Sequence, residues 1–143
     1  MKKSEIIIRE ALLPNDFQEV IFLWQSSGPG IQLGESDSLK EIEKKVFRDP
    51  DLFLVAEWGG RIVGSVLGGF DGRRGMVYHL AVSNHYQKNG IGEILMAELE
   101  ARLQKKGCLR SYLLVTKENS EAKDFYSKRG WKELNLCVMG KDI

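Results

Sequence analysis

Leu80-Ala81-Val82-Ser83-Asn84-His85-Tyr86-Gln87-Lys88-Asn89-Gly90-Ile91-Gly92 passes from an apolar run ending near Val82 into an amphipathic helical pattern that starts at Ile91. A strand, a turn carrying two glycines and a helix N-terminus, in that order, form a backbone cradle for an anion. Unpaired N–H groups and the positive end of the helix converge there. Only glycine lets a backbone approach a diphosphate closely, and residues 88 to 93 can present successive N–H groups to one. Lys88 adds a point charge to this predicted pyrophosphate site. A dinucleotide fingerprint would place its first glycine directly after the strand and a third at position 95; here Ser83 to Asn89 intervene and Leu95 fills that place. A P-loop is excluded because no Gly-Lys-Ser/Thr follows.

Working outward, the helix carries the stripe Ile91, Leu95, Leu99 and Leu103 and closes at Lys105, Lys106 and Gly107. Upstream of the turn, Asp51 to Trp58, Arg61 to Phe70 and Met76 to about Ser83 read as three consecutive antiparallel strands. Gly59-Gly60 is a two-residue hairpin signal, and Asp71-Gly72-Arg73-Arg74-Gly75 turns the chain again. Ile6 to Ile8 predict a short first strand, and Phe17, Val20, Ile21 and Trp24 a helix behind Pro14. Ser26 to Gly30 breaks that helix; Leu39, Ile42 and Val46 mark a second, opening near Ser36 or Asp37 and closing before Asp49-Pro50. Downstream, Leu109 to Thr116 reads as a strand, Asn119 to Arg129 as a helix stopped by Gly130, and Trp131 to Met139 as a last strand. The order β-α-α-β-β-β-α-β-α-β predicts an α/β (α+β) fold with a mixed sheet, as one domain over residues 1–143. Ligands in such sheets favour the C-terminal ends of parallel strands, where the turns at Gly90 and Asn119 fall.

Composition narrows the chemistry. A chain of 143 residues with 43% hydrophobic and 29% charged residues reads as a soluble globular protein, and a formal charge of +1 gives no field to hold nucleic acid. Cys108 and Cys137 lack metal-ligand spacing and only His79 and His85 could join them, so no metal site is expected. Three isoleucines before Arg9 are too few for a signal-peptide core, and no apolar run approaches membrane-spanning length. The expected location is the cytoplasm, with free thiols and no membrane partner.

Gln87-x-x-Gly90-x-Gly92 after Leu80-Ala81-Val82, followed by Asn119 and then Phe125-Tyr126-x-x-x-Gly130-Trp131, resembles the GNAT family of acetyl-CoA-dependent N-acetyltransferases, and within it the small bacterial YpeA-like subgroup. The resemblance covers almost the whole chain. It implies a splayed central sheet flanked by helices, with backbone amides of Gln87, Lys88, Asn89, Gly90, Ile91, Gly92 and Glu93 on the pyrophosphate of coenzyme A. It further implies that Leu80, Ala81 and Val82 pair with the pantetheine arm, that Asn119 lines that arm, and that Tyr126 faces the thioester sulfur. By helical spacing with Ala122, Tyr126 alone would read as a core residue. As a phenol with an ordinary pKa of about 10 it stays protonated near neutrality, which suits a general acid for a thiolate whose conjugate acid lies at about 8.5.

The base is left open. An alkylammonium of pKa about 10 is only about one part in a thousand free amine at pH 7, so a base or water chain helps the reaction. Relatives often place glutamate or histidine on the fourth or fifth strand, whereas this chain reads Met76-Val77-Tyr78-His79-Leu80 and Leu113-Leu114-Val115 there. Strand alternation puts Met76, Tyr78 and Leu80 on one face, so Tyr78 at the substrate leaves His79 against a helix. His79, Glu35 in the irregular linker and a water relay are the three candidates, with Glu35 and Tyr78 also as substrate contacts. Three functions follow: acetyl transfer to a small-molecule amine, favoured by a single strand after the last helix; acetylation of a protein or peptide; and a non-catalytic acyl-CoA-binding module. Nothing in the sequence decides whether the chain forms a homodimer.

Overall fold

The computed structural model describes residues 2–28 and 30–143. Nine principal elements follow in order: β1 Ile7–Glu10, α1 Phe17–Gln25, α2 Leu39–Arg48, β2 Phe53–Trp58, β3 Arg61–Phe70, β4 Gly75–Val82, α3 Ile91–Lys105, β5 Ser111–Leu113 and α4 Ser120–Ser127. The five strands form one mixed sheet in the order β1-β2-β3-β4-β5, antiparallel up to β4 and parallel between β4 and β5. The β2–β3 hairpin turns on Gly59 and Gly60 at φ 58° and 78°, the double left-handed geometry that a two-residue loop requires. Short 3-10 turns at Lys3–Glu5, Glu35–Asp37 and Asn84–Tyr86 serve as connectors.

Each sheet face buries its own core. Leu54, Val66 and Val77 meet Ile91, Leu95, Leu99 and Leu103 of α3 on one side. Phe53, Val55, Leu67 and Ala81 meet Val20, Leu23, Trp24 and Ile42 of α1 and α2 on the other. The alternating contributions of residues 53 to 55 are the period-2 pattern of a strand covered on both faces. The α3 stripe lies close to β3 because residues 64 and 68 are glycine: a Cβ on Gly64 would sit 2.8 Å from Ile91 Cγ2, and one on Gly68 2.6 Å from Leu99 Cδ1.

Three expectations are corrected. β5 is confined to three residues rather than Leu109 to Thr116, and Trp131 to Met139 forms no strand. Apolar alternation makes a strand only where a neighbouring edge offers hydrogen bonds, and β5 carries a ladder over Ser111–Leu113 alone. Leu136 and Val138 consequently remain 74% and 72% exposed. The start of α2 also shifts: Ser38 caps it, its hydroxyl accepting from Glu41 N–H at 3.3 Å, while residues 35 to 37 form the separate 3-10 turn.

Candidate active site

The turn between β4 and α3 is held open by its own side chains. Gln87 Nε2 donates to Val82 O at 3.3 Å and to Asn84 Oδ1 at 3.2 Å, while Asn89 Nδ2 donates to Tyr86 O at 3.0 Å and Gln87 O at 3.2 Å. Both carboxamides are therefore spent on the loop, and what remains for a ligand is backbone. The first helical bond of α3 runs from Ile94 N–H to Gly90 O, and the N–H groups of residues 88 to 93 meet no backbone acceptor among the described residues. Lys88 at φ 65° and Gly90 at φ 79° both lie in the left-handed region. For a lysine that conformation costs on the order of 1–2 kcal/mol, a strain kept where successive amides are turned into a concave nest. A further cation was not foreseen: the Lys3 side chain overhangs the turn, its Nζ 3.0 Å from where a Cβ of Gly90 would stand. The site thus offers an anion six amides, a helix N-terminus, and lysines at positions 3 and 88, which fits a diphosphate.

The second motif is clasped to the first. A Cβ on Gly92 would lie 3.3 Å from Phe125 Cζ, so the absent side chain at 92 is where the Phe125 ring rests. Arg129 stacks on that ring at 3.8 Å and pairs with Glu93 at 3.2 Å, so Glu93 directs its carboxylate to the segment just beyond α4. Asn119 caps α4, its Oδ1 accepting from Ala122 N–H at 3.1 Å, and its Nδ2 faces Gly30 of the α1–α2 linker. Tyr126 packs edge-on against Phe125 and Trp131, with centroids 5.1 and 6.0 Å away. Burial pushes its phenol up to about 12, so the proton stays on oxygen throughout the neutral range.

Between these motifs β4 leaves its neighbour. The parallel ladder to β5 covers Gly75, Met76 and Val77 only, and from Tyr78 through Leu80, Ala81 and Val82 the β5-side edge of β4 has no partner strand among the described residues. This is the splay the family resemblance implied. The pairing of β4 with β3 also jumps, from Leu67↔His79 to Gly68↔Val77, leaving Tyr78 as the extra residue of a bulge. The bulge removes one half of the alternation argument, because an extra residue puts Tyr78 and His79 on the same face; the other half stands, since His79 packs against a helix through Trp24 of α1. Tyr78 and His79 both line a groove of about 1060 Å³ beneath α2 and the linker, together with Asp37, Glu41 and Arg48. His79 Nε2 lies 2.8 Å from Asp37 Oδ1, and its ring meets Trp24 edge-on at 4.7 Å. Trp24 is fixed in turn by donating to the buried Ser65 hydroxyl at 3.0 Å. Tyr78 is 50% exposed, and partial burial with the nearby carboxylates of Asp49 and Asp71 raises its pKa. Glu35 is exposed and stands outside the groove lining; the carboxylate that enters the groove from the same turn is Asp37. Among the described residues no group of three or more His, Cys, Asp or Glu could hold a metal, and no helix is long and apolar enough to cross a membrane.

Comparison with known proteins places this geometry. Residues 17–131 match the model of the acetyltransferase (GNAT) family. The chain is 39% identical over 129 residues to an acetyltransferase of Pectobacterium atrosepticum, covering 90% of each chain. It shares its fold with the PaiA N-acetyltransferase of Thermoplasma acidophilum in complex with coenzyme A, at 24% identity, TM-score 0.77 and 92% of each chain. It also shares it with an aminoglycoside acetyltransferase from an uncultured soil metagenomic sample, at 20% identity, TM-score 0.76, and 99% and 98% of the two chains.

Proposed function

We propose, for a chain that belongs to the GNAT family of acetyltransferases, that it moves an acetyl group from acetyl-CoA to the primary amine of a small molecule. Membership makes it an acetyl-CoA-dependent acyltransferase; the acceptor class and the residue roles are the proposal. One observation carries it: the unpaired edge of β4 runs from the amide cradle to the Tyr78–His79 bulge. At about 3.3 Å per residue, Val82 to Tyr78 spans about 13 Å, a run along which backbone groups can pair with an extended amide-bearing arm. A ligand anchored by its phosphates at Lys88 to Glu93 would then bring its far end beside the groove. A groove of about 1060 Å³ lies just above the roughly 300–1,000 Å³ of small-molecule pockets and has room for a small acceptor.

Bound acetyl-CoA supplies an acyl carbon activated as a thioester. The chain supplies position and charge: the cradle fixes the phosphates, and a β4 N–H near Leu80 or Val82 donates to the developing oxyanion. Tyr126 is the donor to the departing sulfur. A phenol at about 12 facing a thiol of about 8.5 makes complete transfer uphill by roughly 5 kcal/mol. Its O–H therefore acts first as a hydrogen bond to the developing thiolate, and the proton follows as the product meets solvent.

Thiol release from acetyl-CoA, measured across small primary amines and peptides with free N-termini, tests the reading. The expected result is turnover with a small amine and a drop of at least about tenfold in Tyr126→Phe with coenzyme A binding retained. Turnover with peptides alone would transfer the acceptor class to proteins, and coenzyme A binding without turnover on any amine would leave a binding module. Unchanged turnover in Tyr126→Phe would remove its acid role.

A further inference from the structure

We infer that His79 is the base that takes the proton of the acceptor ammonium, and that Asp37 is the residue that positions it; the inference rests on the acyl-transfer reading above. Three independent elements build the pair. The β4 bulge turns His79 to the same face as Tyr78 and into the groove. The 3-10 turn at Glu35–Asp37 brings Asp37 across from the linker, and Gly34 N–H donates to its Oδ2 at 2.9 Å while its Oδ1 takes His79 Nε2 at 2.8 Å. Trp24, anchored on Ser65, closes one side of the imidazole. Both side chains are largely withdrawn from water, at 15% and 11% exposure, yet both line the groove.

The chemistry follows from the acceptor. A carboxylate only accepts hydrogen bonds, so Nε2 carries the hydrogen that binds Asp37, and Nδ1 holds the lone pair. The ammonium of the acceptor gives one proton to Nδ1, forming an imidazolium that the Asp37 carboxylate stabilises. The neutral amine nitrogen then forms the C–N bond to the acetyl carbon while the C–S bond breaks, the electron pair leaving on sulfur as a thiolate that accepts a hydrogen bond from Tyr126; the second proton of the attacking nitrogen passes through solvent to that thiolate, which leaves the neutral amide and the free thiol. The charged or titratable groups sharing the groove are Asp37, Glu41, Lys44, Lys45, Arg48 and Tyr78. Lys44 is paired with Glu41 at 2.6 Å and Lys45 with Asp49 at 2.6 Å, while Arg48 donates to Phe70 O at 3.3 Å. That leaves His79 as the groove residue with an unshared nitrogen lone pair to take a proton.

The test varies the proton demand of the acceptor. An alkylamine at pH 7 needs a base; a small alkoxyamine is already free base and does not. With the alkylamine at pH 7, His79→Gln is expected to lower kcat/KM by about 100-fold or more and to move the acid limb of the pH profile up toward the ionisation of the amine itself, while Asp37→Asn shifts that limb with a smaller loss. With the alkoxyamine, both variants should stay within about threefold of the parent, because no proton has to be removed first. Equal losses on both amines, or an unchanged acid limb in His79→Gln, would reduce the pair to a packing role and overturn the inference. If the alkoxyamine is not accepted, the pH profile with the alkylamine decides. Absence of thiol release from the parent on every amine, with coenzyme A bound, would instead overturn the acyl-transfer reading.

Discussion

Replacing Gly64 by alanine tests whether the close seat of α3 on β3 sets the anion cradle. A Cβ there would meet Ile91 Cγ2 at 2.8 Å, Leu95 Cδ1 at 3.0 Å and the backbone oxygen of Ala81 at 3.2 Å. The Ile91 contact is about 0.6 Å short of the 3.4 Å at which ordinary contact begins, and the Ala81 oxygen belongs to a ladder that does not yield. Helix α3 must give way, and Ile91 is its first residue. Overpacking of this kind costs about 1–3 kcal/mol. Stiffening the unfolded chain returns about 0.4–1 kcal/mol, so destabilisation wins. At the middle of these ranges the net loss is about 1.3 kcal/mol, and for a chain of this size the expected fall in Tm is about 4–6 °C by differential scanning calorimetry. Because the displaced end carries the phosphate-facing amides, KM for acetyl-CoA should rise about tenfold. Gly68→Ala is the control. Its Cβ would meet Leu99 Cδ1 at 2.6 Å, farther along α3 and at the end of a flexible side chain, so a similar loss of Tm should leave KM within about twofold. A Gly64→Ala protein that melts within about 1 °C of the parent with unchanged KM would refute the seating argument.

Two further outcomes are expected. The folded Tyr126 phenol keeps its proton up to about 12 whereas the unfolded one loses it near 10, so stability is full below pH 10 and falls by up to about 2–3 kcal/mol as pH rises from about 10 to 12; urea midpoints across that range should fall less in Tyr126→Phe, and parallel curves would contradict the burial of the phenol. Lys3→Gln should raise KM for acetyl-CoA about two- to fivefold at low ionic strength and by less at high salt, as expected of an exposed cation near a phosphate site; a change independent of salt would show that Lys3 acts other than by charge.

What could be read from the sequence was whatever a local pattern decides. The α3 stripe, the Gly59-Gly60 hairpin and the glycine turn each depend on neighbours within a few residues, and all three stand in the structure. The GNAT assignment came from two such turns taken together with the order of elements. Features that depend on pairing across the sheet were not legible. Alternation along Met76 to Leu80 held no sign of the bulge at Tyr78, because a bulge is set by the register of β3 against β4. The last strand failed for the same reason: Leu134, Leu136 and Val138 alternate properly, but the edge they would need ends with Leu113. Asp37 was not among the sequence candidates, since nothing local tells which carboxylate of a turn faces inward. A signal for Asp37 existed: Ser36-Asp37-Ser38 ahead of an apolar stripe is a capping cluster, which marks a turn tied down by side chains.

The contact between Gly92 and Phe125 makes two distant positions a single evolutionary unit. A Cβ gained at 92 would stand 3.3 Å from Phe125 Cζ, which a slight shift of the ring accommodates, whereas a larger side chain there has room only if volume is given up at 125. In a library that randomises both positions and is selected for acetyl transfer, side chains larger than alanine or serine at 92 should be recovered with leucine or valine at 125 and not with phenylalanine. A bulky residue at 92 alone would be purged while the paired change passes, so the two halves of the donor site diverge in step.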